Sequence, residues 1–349
     1  MTARRIEGLS MVQDRSRNVL VTGGAGYIGS HAVLALLDAG YNPVVIDDLS
    51  TGARELVPAA VPLIVGDIAN AGLVGKAIAD HGCGAVMHFA GSIVVSESVE
   101  NPLKYYRNNT AASRTLIESC VQAGVISFIF SSTAVVYGEP DTIPIPESAP
   151  TTPVNPYGSS KLMTEWILRD VARVSDMRYC VLRYFNVAGA DPQGRSGQSG
   201  PQSTHLIRNA SQLVAGRRDS ISIFGTDYDT PDGTCVRDYV HVSDLAEAHL
   251  LALRHLTGSG ENLVLNCGYG RGFSVREVLN AVEAIAGRKL PIVDGPRRAG
   301  DVPKLVADAS EIRNRLGWRP RFDDLPAIIK SAVDWEAALG QAPGGRKGA

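Results

Sequence analysis

Short runs of apolar residues, separated by longer amphipathic stretches, dominate the first 185 positions of the chain. Val19-Leu20-Val21, Val44-Val45-Ile46, Leu63-Ile64-Val65, 85–89, Phe128-Ile129-Phe130 and 179–182 each read as a strand. Positions 28–38, 102–123 and 157–174 read as helices, the first ending before Gly40. Runs that are apolar throughout, rather than alternating, predict strands covered on both faces. Helices between such strands predict a doubly wound parallel α/β sheet.

After Phe185 the pattern changes. Positions 191–202 are rich in Gly, Ser, Gln and Pro and read as a loop. Positions 221–224 and 263–265 predict strands, and 245–256 and 325–339 predict helices. Ser274, with Glu277 three residues on, is a capping box that opens another helix. The expected organisation is a nucleotide-binding domain over 18–185 and a smaller C-terminal α/β substrate-binding lobe over 186–340. A leader, 1–17, and a tail, 341–349, are expected to lack structure.

Composition narrows the class. The chain has 349 residues, 44% hydrophobic and 20% charged, with net charge -2 and pI about 6.4, as in a soluble enzyme. Arg217-Arg218 and Arg297-Arg298 are isolated pairs, so no basic face for nucleic acid or a membrane surface is expected. No apolar run approaches the ~20 residues of a membrane span, and 1–18 lack the apolar stretch of a secretion signal, so a cytoplasmic location is expected. Cys83, Cys120, Cys180, Cys235 and Cys267 are scattered and never in C-x-x-C spacing. They read as buried apolar residues, with no disulfide framework or metal site.

Thr22-Gly23-Gly24-Ala25-Gly26-Tyr27-Ile28-Gly29 follows the first strand and opens the first helix. Glycines there permit a tight turn and close approach to a pyrophosphate, and the helix N-terminus supplies unpaired N–H groups. The segment therefore predicts a Rossmann-type dinucleotide site. Asp47 closes the second strand, where a carboxylate accepts from ribose hydroxyls and repels a 2'-phosphate. With Arg54 the nearest arginine, NAD is favoured over NADP. Asp48 and Asp67 follow the second and third strands; each can also serve its own turn or helix cap.

Tyr157 and Lys161, four positions apart, share one helix face. An ammonium beside a phenol favours the phenolate, which predicts a lowered Tyr157 pKa and a general base for an alcohol proton. The pair alone is common on solvated helices. Thr133 stands at the carboxyl end of the fifth strand, in Phe130-Ser131-Ser132-Thr133.

With His88-Phe89-Ala90-Gly91, 131–138, Arg183-Tyr184-Phe185-Asn186, 236–242 and Arg297-Arg298-Ala299-Gly300-Asp301, these segments resemble the extended short-chain dehydrogenase/reductase family over roughly 18–335. Within it the chain is most similar to the sugar-nucleotide 4-epimerases. The resemblance implies NAD-dependent interconversion of UDP-galactose and UDP-glucose through a 4-keto intermediate, in a homodimer. It implies Tyr157 as base, Lys161 as its electrostatic partner and nicotinamide-ribose contact, and Thr133 on the 4'-oxygen, where the family usually has serine. Cofactor contacts implied are Gly23, Gly26, Tyr27, Ile28, Gly29, Asp47, Asp48, Asp67, Ile68, Phe89, Ala90, Gly91, Asn108, Tyr157, Lys161 and Tyr184. Substrate contacts implied are Thr133, Asn186, His205, Leu206, Ser222, Phe224, Arg237, Arg298, Asp301 and Leu305.

Three departures matter. Related dehydratases carry an Asp-Glu pair after the strand-five threonine; Ala134 and Val135 stand here and cannot move a proton. Ile93 replaces a lysine that touches the cofactor in some members. Leu305 stands where a bulky tyrosine excludes N-acetylated sugars in some members, and its size is intermediate. A UDP-N-acetylglucosamine or UDP-pentose 4-epimerase is the alternative enzyme. A non-catalytic NAD-sensing regulator is the alternative class, and it has no reason to keep Tyr157, Lys161 and Thr133 together.

Overall fold

The protein is described by a computed structural model that covers residues 15–200, 204–258, 260–298 and 300–341. Residues 1–14 of the expected leader and 342–349 of the expected tail, the loop residues Pro201 and Gln202, and Ala299 lie outside the described residues, while Gln341, expected in the tail, closes the last helix.

In chain order the strands are β1 (Asn18–Thr22), β2 (Asn42–Asp47), β3 (Leu63–Val65), β4 (Ala85–His88), β5 (Ser127–Thr133), β6 (Arg178–Tyr184) and β7 (Asn186–Ala188). They continue as β8 (Ile221–Phe224), β9 (Val236–His241), β10 (Leu263–Cys267), β11 (Gly272–Ser274), β12 (Ile292–Gly295) and β13 (Lys304–Leu305). The helices are α1 (Tyr27–Asp38), α2 (Ala71–His81), α3 (Val95–Glu100), α4 (Pro102–Tyr105), α5 (Ala112–Gln122) and α6 (Pro156–Val171). They continue as α7 (Leu206–Val214), α8 (Val242–Thr257), α9 (Val275–Ala286), α10 (Ser310–Leu316) and α11 (Leu325–Gln341).

Seven strands form one parallel sheet in the order β10-β6-β5-β4-β1-β2-β3. Val19 and Val21 face one apolar layer and Leu20 the other, all at 0% exposure, which is why β1 reads as a continuous apolar run. The strand order reverses between β1 and β4, and their carboxyl ends open a crevice there. The expected boundary at 185/186 does not divide this sheet. β10 returns from the second lobe to pair with the exposed edge of β6, and α8 packs on α1, so both lobes share one core. The remaining strands are short. β9 carries β7, β11 and β13, and β8 pairs with β12.

Two expectations change. The predicted helix over 102–123 is α4, a π-helical turn (Tyr106–Ala111) and α5. That turn rotates Asn109 inward, where its side chain accepts from Ser92 N at 2.7 Å and donates to Ser160 Oγ at 3.0 Å. The expected unstructured leader ends earlier than Arg17. Arg15–Arg17 is a 3-10 turn, anchored by an Arg15 guanidinium bond to the Cys83 carbonyl at 3.2 Å.

Candidate active site

The glycine turn is closed by its own packing. A Cβ on Gly23 (φ +71°) would lie 2.6 Å from Ala90 N, and one on Gly29 would lie 2.1 Å from the Gly23 carbonyl oxygen. Gly26 caps α1 without a side-chain acceptor, so the first N–H groups of α1 are open to an anion. Asp47 is buried beside this turn. Its Oδ2 accepts from Ala25 N at 2.9 Å and its Oδ1 from Leu49 N at 2.8 Å, while burial pushes its pKa up. One carboxylate thus braces the turn and keeps further lone pairs. A bare-backbone cradle at a helix N-terminus, with a carboxylate at the end of the next strand, fits a dinucleotide.

Other expected cofactor residues are placed as follows. The Phe89 and Ala90 amides both donate to the Thr22 carbonyl, at 2.9 and 3.1 Å, which fixes the 89–91 segment beside β1. Asn108 donates to Ser92 Oγ at 3.1 Å. Ile68 is buried in the layer beneath β2, and Ile28 reaches the cleft. The Tyr27 hydroxyl donates to the Gly189 carbonyl at 2.7 Å, tying the turn to the second lobe. Asp48 and Asp67 serve their own turns: Asp48 Oδ1 accepts from Ser50 N at 2.9 Å, and Asp67 Oδ1 from Ala69 N at 2.8 Å.

Asn155 caps α6, accepting from Gly158 N at 2.9 Å, and Pro156 occupies the first helical turn. This places Tyr157 at the mouth of the cleft and Lys161 one turn deeper. Both are buried, at 7% and 3% exposure. Thr133, at the end of β5, hydrogen-bonds the Tyr157 phenol. The Lys161 Nζ donates to the Ser131 carbonyl at 2.9 Å and lies 4.9 Å above the centre of the Phe130 ring.

The expected lowering of the Tyr157 pKa by Lys161 is not what the protein's own groups produce. Burial pushes the phenol up to about 12, and the Thr133 hydroxyl offsets only part of that. Burial likewise brings the Lys161 ammonium down to about 8, against the raising field of Glu165. Spacing on a helix could not anticipate that burial, rather than the ammonium, sets the direction of the phenol's shift. His31 is neutral, lowered by burial to about 4, with Nδ1 on the Tyr27 carbonyl at 2.8 Å.

A cavity of about 530 Å³ extends from Tyr157 and Thr133 into the second lobe. Every expected substrate residue lines it: Thr133, Asn186, His205, Leu206, Ser222, Phe224, Arg237, Arg298, Asp301 and Leu305. In β8, Ile221 and Ile223 point into the core, so Ser222 and Phe224 turn to the cleft. Arg298 stacks 3.7 Å from the Phe224 ring centre. Arg237 is held by the Val236 carbonyl at 3.0 Å and lies 3.9 Å from Asp301 Oδ1. The pairing of β13 with β9 sets Leu305 opposite Arg237.

The cleft also contains residues the sequence reading passed over. Tyr239 and Cys235 flank Arg237 at alternate positions along the chain, and the period of two in a strand signals them. Arg218, dismissed as half of an isolated pair, lines the same cavity, as do Asn155 and Val275. Tyr184 lines the cavity as well, beside Tyr157.

Comparison with known proteins agrees with this geometry. A family model described as "NAD dependent epimerase/dehydratase family" matches residues 19–268. A protein of Azospirillum brasilense named UDP-glucose 4-epimerase is 60% identical over 329 residues, 94% of either chain. The crystal structure of UDP-glucose 4-epimerase from Brucella ovis in complex with NAD is 44% identical, with a TM-score of 0.88 over 92% of this chain and 98% of that one. The UDP-Glc/GlcNAc 4-epimerase from Campylobacter jejuni is 47% identical, with a TM-score of 0.79 over 92% of this chain and 99% of that one. Sequence and fold likeness thus extend over nearly the whole length, and the chain belongs to the NAD dependent epimerase/dehydratase family.

Proposed function

We infer that this chain interconverts UDP-galactose and UDP-glucose, oxidising C4' of the hexose to a 4-keto intermediate that turns over in the site and is reduced on its opposite face. The observation that carries the reading is one continuous cavity with Thr133 and Tyr157 at one end and Arg237, Arg298 and Asp301 at the other. A diphosphate calls for guanidinium groups, and a sugar alcohol calls for a positioned base.

The 23–29 turn and Asp47 would hold the pyrophosphate and adenosine ribose of NAD, and Lys161 and the 89–91 segment its nicotinamide side. NAD supplies a reversible hydride acceptor and, when oxidised, a positively charged ring. That charge favours the phenolate of a tyrosine that the protein itself holds high. Tyr157 then takes the 4'-hydroxyl proton and later returns it, while Thr133 donates to the 4'-oxygen. Residues 18–185 serve mainly the cofactor and 186–340 mainly the UDP-sugar, with β10 and α8 bridging them.

Leu305 supports a second activity, on UDP-N-acetylglucosamine. Leu305 is smaller than a tyrosine and lines the cavity opposite Arg237, and the Campylobacter jejuni relative carries both sugars in its name. Assaying UDP-galactose, UDP-glucose, UDP-N-acetylglucosamine and a UDP-pentose on one preparation tests both readings. Conversion of UDP-galactose is expected; cofactor-loaded protein that turns over none of the four overturns the assignment.

No helix among the described residues is long and apolar enough to cross a membrane. We propose a cytoplasmic homodimer, supported by five free, buried cysteines and by exposed Val99, Leu103 and Trp166 on the adjoining helices α3, α4 and α6. Light scattering at twice the monomer mass is the expected result.

A further inference from the structure

Behind Tyr157 and Lys161 lies a buried polar network that the reaction as described does not use. Glu165 stands one helical turn after Lys161 on α6 and is 6% exposed. Its carboxylate accepts from Ser132 Oγ at 2.5 Å and from Arg183 Nε and Nη2 at 3.1 and 2.6 Å. Arg183 also donates to the Tyr137 hydroxyl at 3.0 Å, which donates to Asn266 Oδ1 at 2.7 Å on β10. The carboxylate therefore touches the residue immediately before Thr133, while Lys161 holds the carbonyl of the residue before that.

We propose that Glu165 is a positioning residue for the epimerase reaction: it keeps Lys161 protonated where the ammonium is buried and fixes the Ser131–Thr133 backbone against the Tyr157 helix. The inference rests on the function assigned above.

The surroundings of Lys161 leave Glu165 as the group with the right charge. β4 presents His88, held neutral by burial with a pKa of about 3, bonded to Thr22 and Ser113. β5 presents only neutral hydroxyls and carbonyls at Ser131, Ser132 and Thr133. β6 presents Tyr184 and Tyr179, both raised by burial, and Arg183, whose charge is engaged by Glu165. The turn after β5 presents Tyr137, also raised. α3 carries Glu97, whose carboxylate is engaged by Lys104 and by the hydroxyl of Tyr105 on α4, itself raised by burial, and α8 presents His249, lowered by burial to about 4. Tyr157 on α6 itself stays protonated in the protein's own field. Desolvation opposes the ammonium, and Glu165 is the carboxylate whose field supports it. At the ~6 Å typical of side chains one helical turn apart and an effective dielectric of ~20, one charge moves a neighbour's midpoint by about two pH units, and the paired Arg183 cation offsets part of that.

The chain contains seven lysines, so the Lys161 side chain can be followed by NMR in lysine-labelled, cofactor-loaded protein and assigned with Lys161→Arg. Glu165→Gln strands Arg183 as an unpaired buried charge, so the decisive variant is Glu165→Gln/Arg183→Gln, which removes both. The proposal expects the Lys161 midpoint in that double variant about one pH unit below wild type. It expects the alkaline limb of kcat to move with it, and Glu165→Asp to restore both. An unchanged Lys161 midpoint in the folded double variant, or an equal shift in Glu165→Asp, overturns the proposal. The titration reads Lys161 without turnover, so its failure is separate from failure of the epimerase assignment.

Discussion

The Lys161 ammonium is bonded at 2.9 Å to the Ser131 carbonyl, so this cation is fixed to the strand that carries Thr133. β5 and α6 converge there, and the three groups proposed to move one proton sit on those two elements rather than on loops. Each of the following expectations depends on that convergence or on the cleft it borders.

Tyr157→Phe removes the base while keeping the ring that packs 6.4 Å from Tyr105. Turnover should fall roughly 10²–10⁴-fold, with thermal stability and bound NAD retained. Near-wild-type turnover would remove Tyr157 from the mechanism.

Burial of Lys161 has a thermodynamic signature. Its native pKa lies near 8, below its ordinary 10.5, so between those values the unfolded chain binds the proton and the native protein does not. Stability from this group therefore rises with pH across that window, and the burial cost is fully present below pH 8. In cofactor-stripped protein, wild type should gain on Lys161→Met by about 2 kcal/mol between pH 7.5 and 10. Parallel urea midpoints for the two proteins over that range would contradict the assignment.

Gly29→Ala tests the cofactor cradle. The new methyl would sit 2.1 Å from the Gly23 carbonyl oxygen, a contact that only backbone movement relieves. Purified protein should lose most of its bound NAD and about 2–4 kcal/mol of stability. Full NAD occupancy in the variant would show that the turn does not hold the pyrophosphate.

The apolar runs of β1 to β6 made the main sheet readable, because strands buried on both faces tolerate little else. β7, β11, β12 and β13 left no such trace, being two to four residues long and set among polar residues. The capping box at Ser274 and Glu277 formed as its spacing predicted. The π-helical turn did not show in the pattern, since one inserted residue only rotates Asn109 inward. At the site, the residues that line the cleft were legible and the energetics were not. The spacing of Tyr157 and Lys161 implied a phenolate, whereas burial, which spacing does not record, raises the phenol instead. Glu165 lay in plain view four positions after Lys161, but its pairing with Arg183 and Ser132 depends on β5 and β6 being neighbours.

Leu305→Tyr narrows the cleft opposite Arg237, where Leu305 now packs with Phe185, Val302 and Ala134. Any activity on UDP-N-acetylglucosamine should drop about 5- to 150-fold relative to that on UDP-glucose, if overfilling the site costs the larger sugar about 1–3 kcal/mol. An unchanged ratio of the two activities would show that Leu305 does not gate the sugar.

The central claim is that the hydrogen removed from C4' returns to the same sugar. Purified protein given UDP-galactose deuterated at C4' should yield UDP-glucose that keeps the deuterium at C4', with none released to water. Loss of the label to solvent during conversion, or no conversion by NAD-loaded protein, would contradict it.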